Sequence, residues 1–133
     1  MTATPEAGQR IYLRAGTDGD PLSFSLRWFV PSGFDADGSA ELVAQAIGKA
    51  ELASCLTLLG VSALALMVGD AVDGTPVFET RSCTAVNAAE HILRESQRAR
   101  GISYSQTVYV DASPDEVYRR MRLWESVRKR WGH

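Results

Sequence analysis

The sequence has little of the chemistry that marks an enzyme or a metalloprotein. Its 133 residues include only 2 cysteines and 2 histidines, with no CxxC pair, calcium-loop register or glycine-rich phosphate loop. Cys55 and Cys83 lie far apart without a neighbouring histidine, and His133 is the last residue, which leaves His91. The sequence therefore predicts no metal site and no cofactor.

The sequence also lacks an apolar run that could cross a membrane. The longest run, Leu56 to Val68, is interrupted by Gly60 and is shorter than the roughly 20 residues that a spanning helix needs. Residues Met1 to Gln9 are small and polar, so no secretory signal is expected. With so few cysteines, these features indicate a soluble protein of the reducing cytoplasm.

Charge is distributed unevenly along an otherwise ordinary globular composition. The chain is 45% hydrophobic and 23% charged, with a formal net charge of −2. Up to Leu93 there are 5 Lys+Arg against 11 Asp+Glu, and from Arg94 onward there are 9 against 5. This asymmetry concerns solubility and partners rather than the fold.

Hydrophobic periodicity predicts a single α+β domain over residues 10–133, preceded by a mobile tail at 1–9. The sheet is expected to be antiparallel or mixed, with helices on one face and the element order ββαββαβα. Alternating patterns predict five strands, at residues 10–14, 22–28, 61–68, 75–83 and 102–110. The order from Leu22 to Val110 fits a ferredoxin-like split β-α-β core, followed by a C-terminal helix.

Three helices are predicted from apolar spacings of three and four residues. The first has cap residues at Asp37 to Ser39 and apolar positions from Leu42 to Ala53. Its end falls between Leu52 and Gly60, where the pattern fits helix and strand alike. The second runs from Thr84 to about Arg100, and the third begins at Ser113.

The third helix carries the most unusual pattern in the sequence. Ser113, Pro114 and Glu116 form a capping signal, and an apolar face follows that includes Trp124 and Trp131. Arg120 and Arg128 project into this apolar arc, where an unpaired cation would be costly. Either these arginines extend to solvent at the margin of the arc or stack on the tryptophans, or this surface binds a partner.

The leading functional hypothesis is a non-enzymatic binding or regulatory module that acts through protein contacts and self-associates. Its candidate surface comprises Arg120, Trp124, Arg128 and Trp131.

Two alternatives stay open. A nucleic-acid-binding module would use the basic residues of the same helix, although the pI of about 5.6 opposes it. Those residues are Arg119, Arg122, Lys129 and Arg130.

A small enzyme, the second alternative, would use His91 or Cys83. Cys83 is a candidate nucleophile because it lies near Arg81 and just before a helix N-terminus, where thiol pKa values are often lowered.

Overall fold

The computed structural model describes residues 10–30 and 40–130 of the chain. They form strands β1 (Arg10–Thr17), β2 (Ser23–Val30) and β3 (Ala40–Ile47), helix α1 (Gly48–Leu59), strands β4 (Val61–Asp70) and β5 (Pro76–Ser82), helix α2 (Ala85–Ala99), strand β6 (Tyr104–Asp111) and helix α3 (Pro114–Arg130). The predicted α+β class is confirmed. The predicted tail at 1–9 lies outside the described residues.

The six strands form one sheet in the order β3-β2-β1-β6-β4-β5, and every pairing between neighbours is antiparallel. The last strand, β6, therefore lies at the centre beside β1. The β4–β5 hairpin is separated from β2 by two strands. A ferredoxin-like core is not confirmed, because its two β-α-β units would interleave and bring that hairpin against the first strand of the core.

The segment predicted as the first helix is a strand followed by a helix. Leu42, Ala44 and Ala46 face the core from β3, whereas Val43 and Ile47 face solvent. Because these two outward residues are apolar, the apolar positions of the segment recur every three or four residues, and that spacing favoured a helix. Helix α1 starts only at Gly48 and extends through Leu59, so residues 52–59 are helical. The predicted cap at Asp37 to Ser39 lies outside the described residues.

One hydrophobic core lies between the sheet and the three helices. Alternate strand residues such as Leu13, Phe24 and Val108 point into it and pack with Leu56 of α1 and Ile92 of α2. Each buried side chain of this size contributes roughly 1.5–3 kcal/mol. On the opposite face of the sheet, described residues such as Tyr12, Arg14 and Arg27 are exposed, as expected for a sheet with helices on one face.

Within the ranges that the structure describes, no helix combines the length and apolarity that a membrane crossing requires.

Candidate interaction surfaces

Helix α3 begins where the sequence predicts it. The Ser113 Oγ accepts a hydrogen bond from the Glu116 N–H at 3.2 Å, and Pro114 is the first helical residue. The Glu116 carboxylate accepts hydrogen bonds from the guanidinium groups of Arg119 and Arg120. These bonds, first that from Arg119, lower the pKa of Glu116. The start of α3 is thus fixed by its own side chains.

Trp124 joins α3 to the edge strand β3. Its side chain is 1% exposed, and the indole Nε1 donates to the Gln45 carbonyl oxygen at 2.7 Å. The Gly48 N–H donates to the Leu22 carbonyl at 2.8 Å, so the backbone groups of Gly48 face β2. Successive residues of a strand direct their backbone groups to alternate sides, and those of Gln45, three residues earlier, therefore face away from β2. The indole therefore occupies a backbone acceptor on the outer edge of the sheet.

A second backbone group on this edge is also occupied. The Ile47 N–H donates to Glu51 Oε1 at 2.9 Å, and the Arg128 Nε lies 3.4 Å from the same oxygen. Glu51 is buried, and a buried carboxylate is costly unless a cation and hydrogen bonds compensate it. Arg128 supplies that cation and holds α3 against the start of α1.

Arg120 closes the other end of α1. Its Nη1 donates to the Leu59 carbonyl at 2.9 Å, and its Nε donates to Glu116 Oε2 at 3.0 Å. Carbonyls in the last turn of a helix lack intrahelical partners and favour a nearby cation. Gly60 gives the guanidinium room, because a Cβ there would lie 2.6 Å from Arg120 Nη1 and the residue has a φ of +84°.

The structure brings three of the four predicted partner-binding residues to the inner side of α3. Arg120, Trp124 and Arg128 each bind groups of the same chain, and we call them the anchor residues. Trp131 lies outside the described residues. Partner binding by this set stays a prediction. What the contacts show is that the anchor residues attach α3 to α1 and cover the β3 edge.

The predicted nucleic-acid-binding residues lie exposed on α3: Arg119, Arg122, Lys129 and Arg130. Two of them meet carboxylates of the same helix. Arg119 pairs with Glu116, and the Arg122 Nε lies 3.9 Å from Glu125 Oε1. The guanidinium of Arg122 also lies 5.9 Å from the centroid of the Tyr118 ring. This face of α3 therefore carries charges of both signs. Among the described residues, Lys129 and Arg130 near the end of the helix form no ion pair with a carboxylate.

The residues predicted for an enzyme do not form an activated pair. Burial raises the pKa of the Cys83 thiol, the opposite of the lowering that a nucleophilic cysteine needs. His91 lines a different region, a cleft of about 480 Å³ where β4 separates from β6. Among the residues that the structure describes, no group of three His, Cys, Asp or Glu side chains is placed to hold a metal ion.

This cleft is bridged by a polar side chain. The Gln106 amide donates to the Ala65 carbonyl of β4, and the Tyr104 hydroxyl donates to Gln106 Oε1 at 2.8 Å. Burial, with a smaller contribution from the Glu95 carboxylate, raises the pKa of Tyr104. The phenol therefore stays protonated near neutral pH and acts as a hydrogen-bond donor rather than as a base.

Strands β4 and β5 pair as an antiparallel hairpin where the sequence predicts two strands, but the exposure of this hairpin was not predicted. Strand β4 pairs with β6 only from Val61 to Leu64, and every residue from 67 to 82 is exposed. A signal was present, because Val77 and Phe78 are adjacent apolar residues that must face opposite sides of a strand. The hairpin exposes five large apolar side chains: Met67, Val68, Val72, Val77 and Phe78.

Strand β5 ends the sheet on this side and leaves backbone groups facing outward. The Cys83 N–H donates to the Ser62 carbonyl of β4 at 3.0 Å. Backbone groups of every second residue in a strand face the same side, so those of Glu79 and Arg81 also face β4. Phe78, Thr80 and Ser82 direct theirs to the edge. The two edges of the sheet thus differ, since α3 and α1 cover groups on β3 and no described element covers β5.

Comparisons with protein-family models, with curated proteins and with solved structures find no match to this chain.

Proposed function

We propose that this protein is a non-enzymatic interaction module that acts through protein contacts and self-associates, and that the β4–β5 hairpin is its contact surface. The observation that carries the proposal is the exposure of Met67 and Phe78, at 63% and 60%, on a hairpin that ends the sheet. Exposed apolar groups beside an uncovered edge strand are typical of contact surfaces.

The choice of the hairpin over α3 rests on what each surface already binds. Trp124, the aromatic residue of α3 that suggested a hot spot, is buried and donates its N–H to Gln45. The hairpin has aromatic and aliphatic side chains in solvent together with outward backbone groups. A second protein strand would cover both, through main-chain hydrogen bonds and side-chain packing.

The test is the native mass of the protein by light scattering over a range of concentrations. We expect an assembly of at least twice the 14.5 kDa chain mass, and a return to 14.5 kDa in a Phe78→Asp variant. Ile102→Asp is the matched control, because Ile102 is 70% exposed outside the hairpin. A wild-type monomer at every concentration would refute self-association, and an assembly that survives Phe78→Asp would refute the hairpin as its surface.

Nucleic-acid binding is a second candidate because of the open face of the sheet. Tyr12 on β1 is exposed and lies opposite Tyr109 on β6, and Arg14 lies opposite Arg27 on the same face. Exposed aromatic rings beside arginines form a stacking and phosphate-binding surface in single-strand binders. The net charge of −2 opposes this function and places it second.

A labelled single-stranded oligonucleotide would test this candidate by fluorescence anisotropy. Binding that falls steeply with salt and is lost in Tyr12→Ala would support the open face. Loss in Lys129→Ala/Arg130→Ala, with Tyr12→Ala unchanged, would place the site on α3 instead. The absence of binding at low salt would refute both.

We also propose that the protein is cytoplasmic, and its two unpaired thiols support this proposal. Cys55 and Cys83 are both free, and burial raises the pKa of Cys55 to about 12. Thiols that remain unpaired suit a reducing compartment. Thiol titration of protein trapped with acid at lysis should count two free thiols per chain, and oxidised cysteines would contradict this location.

A further inference from the structure

We infer that the partner of the hairpin is a second copy of this chain, bound by antiparallel pairing of the two β5 strands about a two-fold axis at Thr80. This inference rests on the proposed self-association and adds to it a register. In the resulting dimer the two sheets become one continuous sheet, and each chain covers the open edge of the other.

The backbone of β5 has the alternation that such pairing requires. The backbone N–H and C=O groups point away from β4 at Phe78, Thr80 and Ser82. The strand begins at Pro76, which has no N–H to donate. With Thr80 opposite the partner's Thr80, Phe78 lies opposite the partner's Ser82. Each of these three residues then exchanges both backbone hydrogen bonds across the axis.

Charge selects this register among those that the backbone allows. Glu79 Oε1 and Arg81 Nη2 lie 2.7 Å apart on one face of β5. Pairing about Thr80 places Glu79 opposite the partner's Arg81, so that four charges of alternating sign form a ring. An axis at Glu79 would place Glu79 opposite the partner's Glu79, and an axis at Arg81 would place Arg81 opposite the partner's Arg81. Like charges directly opposite each other are destabilising.

Two further positions agree with the same register. Val77 falls opposite the partner's Cys83, which pairs two apolar side chains on the face that carries the charges. An axis at Phe78 would set Thr80 opposite the partner's Pro76, which lacks the N–H needed for one of its bonds. The pairing about Thr80 keeps every donor of the three outward residues in use.

The other sheet edge offers no equivalent strand. On β3 the Gln45 carbonyl accepts from the Trp124 indole, and the Ile47 N–H is bonded to Glu51. A strand added there would have to displace both contacts. The difference between the edges favours a closed dimer through β5 over an open chain of alternating edges.

Cysteine scanning of β5 tests the register. In a Cys83→Ser background, Thr80→Cys should form an intermolecular disulfide on mild oxidation. The Cα atoms of a hydrogen-bonded antiparallel pair are about 5.5 Å apart, within disulfide range. Phe78→Cys and Ser82→Cys project from the same face and are the matched controls. Neither should link, because each lies several residues from its own copy.

Charge reversal gives an independent measurement. Glu79→Arg should weaken dimerisation roughly tenfold, since two attractive pairs become repulsive, and Glu79→Arg/Arg81→Glu should restore it. A dimeric wild type in which cysteines link at position 78 or 82, or in which Thr80→Cys does not link, would show that the register is wrong. Self-association would stand in that case. If the wild type is monomeric, both proposals fail.

Discussion

At the residue scale, Arg120 belongs to α3 but stabilises the end of α1. Its guanidinium donates to the Leu59 carbonyl at 2.9 Å and to Glu116, and its side chain is only 28% exposed. A hydrogen bond to a charged group contributes about 1.5–3 kcal/mol. We expect Arg120→Ala to lower the free energy of unfolding by that amount, measured by urea denaturation.

Arg119→Ala is the control for this prediction. Arg119 pairs with the same carboxylate, but its side chain is 72% exposed, so its removal should cost less than about 1 kcal/mol. Equal losses in the two variants would show that the Leu59 contact contributes nothing of its own.

Glu116 makes stability depend on pH in the acid range. Hydrogen bonds from Arg119 and then Arg120 lower its folded-state pKa below the ordinary 4.5. A lowered folded-state pKa adds stability that is present above the unfolded-state pKa and is lost as pH falls through the folded-state value. The difference in urea midpoint between wild type and Glu116→Gln should therefore be largest above the ordinary pKa of 4.5 and shrink at lower pH.

Glu125→Gln gives the comparison for that titration, because Glu125 is exposed and lies 3.9 Å from Arg122. A Glu116→Gln difference that does not change with pH, or that grows as pH falls, would contradict this interpretation.

At the scale of elements, α3 depends on Ser113, the residue that caps its start. The Ser113 Oγ satisfies the Glu116 N–H, and loss of such a cap costs about 1 kcal/mol. We expect Ser113→Ala to lower the free energy of unfolding by that amount. Ser126→Ala, in the exposed interior of the same helix, should cause no loss, since alanine is the better helix former. Thermal denaturation of both variants checks the expectation.

Elements with a single strong signal could be predicted from the sequence. Ser113 and Pro114 marked the start of α3, and Thr84 caps α2 by accepting from the Asn87 N–H at 3.1 Å. Strand β3 was missed because Val43 and Ile47 are apolar yet face solvent. Local periodicity cannot tell an exposed apolar residue from a buried one, and tertiary pairing decided the outcome.

The roles of the anchor residues could not be read from local spacing. The sequence showed that Arg120 and Arg128 lie within an apolar arc, which required compensation. It could not show that the compensating groups are the Leu59 carbonyl and Glu51, which lie 61 and 77 residues earlier in the chain. The exposure of Phe78 likewise depends on β6 entering the sheet between β1 and β4.

At the scale of the whole molecule, the two edge strands of the sheet differ in what covers them. Helix α3 covers β3 through Trp124, whereas β5 keeps outward backbone groups and exposed apolar side chains. Uncovered edges favour pairing with another strand. This asymmetry is the physical basis for proposing a dimer rather than a chain of copies.

Amide hydrogen exchange at low and high protein concentration tests this account most directly. The amides of Glu79 and Arg81 bond to β4 and should be protected at both concentrations. The amides of Phe78, Thr80 and Ser82 should exchange rapidly when dilute and become protected when concentrated, because they then donate across the two-fold axis. Rapid exchange of these three amides at every concentration would contradict pairing through β5.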